Sequence, residues 1–166
     1  SDWSSDVCSS DLLPPEKRER AKILLRLLQV MQFTVPGVPC VFYGDEAGME
    51  GYEDPFNRGP FPWDDPDEAL TDWVKSLSTL RRDHPALSAG DTLFSAQDQD
   101  VLHLTRSLGA DTIEVYVSRA WDHRTIPTLG CACADLLTGT TYDSGQEIPL
   151  PPLSAVVLER GGAQES

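Results

Sequence analysis

Positive charge is scarce in this sequence. Thirteen lysines and arginines stand against twenty-seven aspartates and glutamates in 166 residues, a formal net charge of −14. A surface of that sign repels phosphate, so neither nucleic acid nor an anionic membrane is an expected partner. A neutral or cationic small molecule fits better, though acidity also serves plain solubility. No apolar run reaches the length of a membrane span. The chain has no G-x-G-x-x-G string, no phosphate-binding loop and no G-x-S-x-G elbow, which removes the common dinucleotide, nucleotide and serine-hydrolase signatures. Cysteine is sparse, at 8, 40, 131 and 133. Cys131-Ala-Cys133 is spaced too closely for a C-x-x-C metal pair, and no second pair matches it. Cys40 sits in an apolar run and is expected to be a small buried hydrophobe. None of this calls for an oxidising compartment, which leans toward the cytoplasm without fixing a location. Internal repeats and low-complexity tracts are absent as well.

What is there centres on residues 36–63. A Pro36-Gly37 stop leads into the apolar run Val38-Pro39-Cys40-Val41-Phe42-Tyr43, which reads as a short strand buried on both faces. A glycine-rich polar loop follows, with Asp45, Glu46, Glu50, Glu53, Asp54 and Arg58. Two strings carry a resemblance: P-G-V-P-C-V-F-Y-G-D-E-A-G-M at 36–49 and D-P-F-N-R-G-P-F-P-W at 54–63. In this order and spacing they resemble the α-amylase family of glycoside hydrolases (family 13), in its neopullulanase, cyclomaltodextrinase and maltogenic-amylase-like branch. The likeness continues more weakly to about Glu159.

The first eleven residues after Ser1, DWSSDVCSSDL, show no apolar period and resemble a translated sequencing adaptor. Residues 1–12 are therefore set apart as non-native. Pro14-Pro15 then starts a helix, and AKILLRLLQVMQF from Ala21 continues it with apolar positions nearly all round. A second helix opens at Asp65-Pro66, with Asp65 as cap and Glu68 closing a capping box. Leu70, Trp73, Val74, Leu77 and Leu80 form its stripe, Arg81-Arg82 suit its dipole, and His84-Pro85 ends it. From Gly90 the period becomes two. Strands are expected at 101–106, 112–118, 135–139, 148–150 and 154–158, while 121–132 cannot be placed.

The resemblance implies α/β plus all-β architecture. Residues 13–88 would be the end of a (β/α)8 TIM barrel (helix, last strand, last helix). A small antiparallel β-sandwich would follow at 89–160, with a tail at 161–166. It also implies retaining hydrolysis of α-1,4, and conceivably α-1,6, glucosidic bonds in malto-oligosaccharides, cyclodextrins or pullulan. That chemistry needs a nucleophilic Asp, an acidic Glu and a further Asp that grips the sugar. In the family all three precede the first helix, and no N-H-D string occurs here, so no catalytic residue is assigned. The chain alone is expected to be inactive. Asp54 and Arg58 match the D-P-x-x-R pattern that binds glucose next to the cut, or else form a structural ion pair. Tyr52 and Phe56 are stacking candidates beside them. Phe61 and Trp63 read rather as packing, and Asp45 and Glu46 as supports behind the site. No metal site and no cofactor are expected in this chain; the resemblance leaves room for a structural calcium in an upstream region. The implied partner is an α-glucan oligosaccharide, and the parent enzyme would be a homodimer if it carries the extra N-terminal domain common in this branch. The rival reading is a glucan-binding or scaffold module of the same family without catalysis.

Overall fold

A computed structural model describes residues 13–51, 58–127 and 129–161. Residues 1–12, which the sequence suggests are adaptor-derived, the candidate site residues Tyr52, Asp54 and Phe56, and the end of the expected tail lie outside them. Helix α1 runs Pro15–Thr34, with Pro15 in the first turn, where a missing N–H costs nothing. It stops where Val35 turns extended ahead of Pro36. Its buried side is Leu27, Val30, Phe33 and Thr34, while Leu28 is 62% exposed. The all-round burial expected from composition is therefore confined to one face.

Helix α2, Glu68–Asp83, buries Leu70, Leu77, Leu80 and Arg81. Its cap is Asp67 rather than Asp65. The Asp67 carboxylate accepts the Leu70 N–H at 3.0 Å and also holds the Lys22 ammonium of α1 at 2.7 Å. That tertiary partner decides between two aspartates which are locally equivalent. A short helix α3, Pro85–Ala89, follows directly.

Eight strands follow among the described residues: β1 Asp91–Ala96, β2 Val101–Leu108, β3 Asp111–Ser118, β4 Arg124–Ile126, β5 Cys133–Asp135, β6 Thr141–Tyr142, β7 Ile148–Leu150 and β8 Ala155–Arg160. Six form a sheet in the order β1-β2-β3-β8-β5-β6, and β4 pairs with β7 in a second sheet. All strand pairs are antiparallel. The three helices pack on one face of the large sheet, through Leu27, Val30, Phe33, Leu77 and Leu87 against Leu104, Ile113, Val115 and Val157. On the other face Tyr116, Val156 and Leu158 pack against Ile126, Ile148 and Leu150 of the small sheet. This sandwiching explains β3, which is buried at six consecutive positions although its sequence alternates.

The barrel expectation is corrected here. The chain is a mixed α/β domain with two antiparallel sheets, not a parallel-stranded barrel fragment. Residues 38–43 form no strand. Val38 is 93% and Phe42 68% exposed, and Cys40 is exposed rather than buried. The reason is hydrogen bonding. A buried strand needs neighbours to take its N–H and C=O groups, and Pro39 has no N–H to offer. The Cys40 carbonyl is met instead by the side chain of Gln32 on α1. Local apolar composition is not sufficient to make a strand without a ladder partner.

Candidate functional site

The loop after residue 43 is built on two left-handed glycines, Gly44 (φ 90°) and Gly48 (φ 70°), flanking a single 3-10 turn at Asp45–Ala47. At Gly44 the closure is also steric, because a Cβ there would lie 2.5 Å from the Met49 sulfur. Glu46 accepts the Gly44 N–H on its carboxylate at 3.0 Å, and its carbonyl accepts the Thr71 hydroxyl of α2 at 2.9 Å. Glu46 thus ties the loop to the second helix. Asp45 is half-buried, and burial first and the Glu46 charge second raise its carboxyl above the ordinary range. The Asp67 N–H donates to the Ala47 carbonyl at 3.0 Å, which joins the loop to the start of α2.

From that base the loop leads to an aromatic cluster. Tyr43 and Phe61 lie 5.9 Å apart, and Phe61 and Trp63 4.7 Å apart. The Tyr43 hydroxyl reaches the Gly59 carbonyl at 3.4 Å. Trp63 is 82% exposed, so it rests on Phe61 but does not pack the loop down as its sequence context suggests. Arg58 is exposed at the near end of this segment. Beside it opens a cleft of about 620 Å³ lined by the charged residues Arg18, Lys22, Glu50, Asp65 and Asp67 together with Met49, Gly59 and Pro62, among others. Arg18 and Glu50 form an ion pair across it. Exposed aromatic rings beside a charged cleft can meet the apolar face and the hydroxyls of a sugar together.

Of the residues singled out from sequence, the structure places Asp45, Glu46 and Arg58 along one loop. Tyr43 is the member that sequence reasoning missed. It lies within the apolar run expected to be a strand, and only its spacing from the P-F-P-W string signals a shared surface.

A second polar cluster was also invisible in the sequence. Glu114, 1% exposed on β3, accepts from the Thr105 hydroxyl at 2.7 Å, and its carboxylate meets His103 Nε2 at 2.6 Å and the Arg160 guanidinium at 2.5 Å. The His103 ring stacks on Tyr116 at 4.2 Å, and burial followed by the Glu114 charge pushes the Tyr116 phenol up to about 12. Residues 103 and 105 alternate onto the same face as 114 and 116, and the β2–β3 register sets His103 opposite Tyr116 and Thr105 opposite Glu114.

The Lys22–Asp67 pair at the cleft has a definite pH signature. The Lys22 hydrogen bond is the largest influence lowering the Asp67 carboxyl, and the same bond raises the Lys22 ammonium. The Asp67 contribution is present above its unfolded pKa and lost as pH falls through the lower folded value. The Lys22 contribution is present below its unfolded pKa and lost as pH rises through the higher folded value. Asp67→Ala is expected to lower stability by about 1–2 kcal/mol at neutral pH, as cap and pair go together. In urea unfolding the gap from the natural chain should narrow in acid, below the unfolded range of an aspartate. A gap that stays constant with pH would count against the pair.

No family model matches the chain. The cyclomaltodextrinase of Geobacillus thermopakistaniensis is 35% identical over 144 residues, covering 80% of this chain and 24% of that enzyme. An amylopullulanase of Thermoanaerobacterium saccharolyticum is 32% identical, covering 92% of this chain and 14% of the enzyme. This chain therefore spans a quarter or less of the length of these two curated relatives. Among solved structures, an Anoxybacillus α-amylase superposes with a TM-score of 0.76 at 25% identity, over 86% of this chain and 33% of that one.

Proposed function

The chain is homologous to the α-amylase family of glycoside hydrolases, family 13, and on that premise we propose that it is part of an enzyme acting on α-glucans. The reaction proposed for the whole protein is retaining hydrolysis of α-1,4 glucosidic bonds, with α-1,6 bonds as a further class, in malto-oligosaccharides, cyclodextrins or pullulan. The division of labour proposed for this chain is binding. Asp54 and Arg58 hydrogen-bond one glucose unit, Tyr52 and Phe56 bracket it, and Asp45 and Glu46 hold the loop behind them. No residue of this chain is given a catalytic role. The observation that carries the reading is the Tyr43–Phe61–Trp63 cluster, with Tyr43 and Trp63 exposed, beside the cleft that Gly59 lines, on a chain with these relatives.

The test is a titration of the chain with maltoheptaose, followed by tryptophan fluorescence, with cellohexaose as the β-linked control. Trp63 should report binding of the α-linked sugar, and Arg58→Ala should weaken it about tenfold or more, as expected for a charged group bonded to sugar hydroxyls. No reducing sugar should be released at any concentration. Equal responses to the two sugars, or an unchanged response in Arg58→Ala, would sink the assignment.

A further inference from the structure

We propose that His84, Asp111 and Glu159 form a binding site for a divalent transition-metal ion of the zinc type. The three residues come from distant points of the chain. His84 lies between α2 and α3, Asp111 opens β3, and Glu159 is near the end of β8. His84 Nδ1 is 3.7 Å from Asp111 Oδ1 and 3.6 Å from Glu159 Oε1, and the three donor atoms all lie within 4.8 Å of one another. Zinc bonds of about 2.1 Å to nitrogen and oxygen put two ligands of a tetrahedral ion about 3.4 Å apart. The two histidine edges are within a few tenths of an ångström of that separation. Glu159 is the half-exposed member, and the remaining edge, from Asp111 to Glu159, is within 4.8 Å.

The surroundings suit an ion. Asp111 offers Oδ1 because its other oxygen is already occupied, accepting the Ala86 N–H at 2.8 Å, and this bond fixes the carboxylate plane. The register pairs Ile113 with Glu159 across β3 and β8, so Asp111, two residues earlier, shares their face of the sheet. An open cleft of about 380 Å³ reaches His84 past Lys75, Thr79 and Asp83. The donor set decides the metal class. An imidazole with two carboxylates suits zinc and its neighbours, whereas calcium takes six to eight oxygens. Bound there, the ion would clip the α2–α3 turn to the start of β3 and to β8, a structural role that does not depend on glucan binding.

The experiment is calorimetric titration of chelator-treated full-length chain with Zn²⁺, paired with thermal unfolding. One equivalent is expected to bind and raise the melting temperature. Glu159→Gln, a change at a half-exposed position, should weaken binding at least tenfold without loss of fold; His84→Ala should abolish it. His103→Gln should leave it unchanged. Co²⁺ provides the deciding spectrum, with weak visible bands of nitrogen and oxygen ligation expected. A thiolate charge-transfer band would place the ion on the cysteines and overturn the site. So would equal Zn²⁺ affinity in Glu159→Gln and the natural chain, or no binding at millimolar Zn²⁺.

Discussion

Replacing Arg106 with alanine is expected to lower the unfolding free energy by about 3–5 kcal/mol, a large part of the total stability of a typical domain. Arg106 is 1% exposed and donates to the Thr34 carbonyl at 2.8 Å and the Gly90 carbonyl at 3.0 Å. Arg81 does the same work next to it, donating to Phe33 at 2.6 Å, Val35 at 3.2 Å and Gly37 at 2.5 Å. The last carbonyls of a helix have no partners within it and carry the negative end of its dipole. Helix α1 has no basic residue in its own last turn, so guanidiniums from α2 and β2 fill that role. Burial lowers the pKa of both arginines, and the neighbouring Arg81 charge lowers that of Arg106 further. Two like charges are tolerated side by side because each faces carbonyl oxygens. Alanine at 106 would strip two charge-assisted bonds from carbonyls near the core and leave a void. Arg106→Met fills the void without the bonds and should recover only a minor share. Urea unfolding followed by circular dichroism measures both variants; a loss under about 1 kcal/mol for alanine would refute the capping role.

Gly90→Ala is expected to cost about 2–3 kcal/mol, the usual scale of overpacking against atoms that cannot rotate aside. A Cβ at Gly90 would lie 2.5 Å from the Ala86 carbonyl oxygen, 2.7 Å from that of Ser107 and 3.0 Å from Ala86 Cα, all backbone. The Gly90 φ of −73° is open to any residue, so space and not conformation demands glycine here. Gly109 is the converse, with φ 61° and nothing within 4 Å of an added Cβ. Gly109→Ala should cost only the left-handed strain, about 1–2 kcal/mol. Unfolding midpoints for the pair separate the two causes. A Gly90→Ala loss under about 1 kcal/mol would show that the close approach of α3 to β2 is unimportant.

The two long helices were legible because their signals are local. Pro15, Pro36, the Leu70–Leu77–Leu80 stripe and the His84-Pro85 stop all act within a few residues of where they sit. Strands β2 and β3 were legible from alternation. Residues 38–43 misled because their apolar content says nothing about whether a ladder partner is present. Arg81 lies in the last turn of α2, as the sequence predicts, yet its guanidinium serves the end of α1. Nothing local favours Asp67 over Asp65 as the cap, because Lys22, its deciding partner, is 45 residues away in sequence. The candidate site divides in the same manner. The D-P-x-x-R pattern marks Arg58 directly, while the grouping of Tyr43 with Phe61 and Trp63 depends on the chain folding back at Gly44 and Gly48.

One core spans the point where helices give way to strands. Phe33, Leu77 and Leu87 press on Ile113, Val115 and Val157, and Arg106 of the sheet holds the end of the first helix. The two parts are therefore bound to a common inheritance. A recombination that replaced everything after Gly90 with the matching piece of a relative would import a foreign surface under α1 and α2. It would also import whatever residue that relative carries in place of Arg106. A crossover at Gly90 therefore parts α1 and α2 from the sheet surface they pack on.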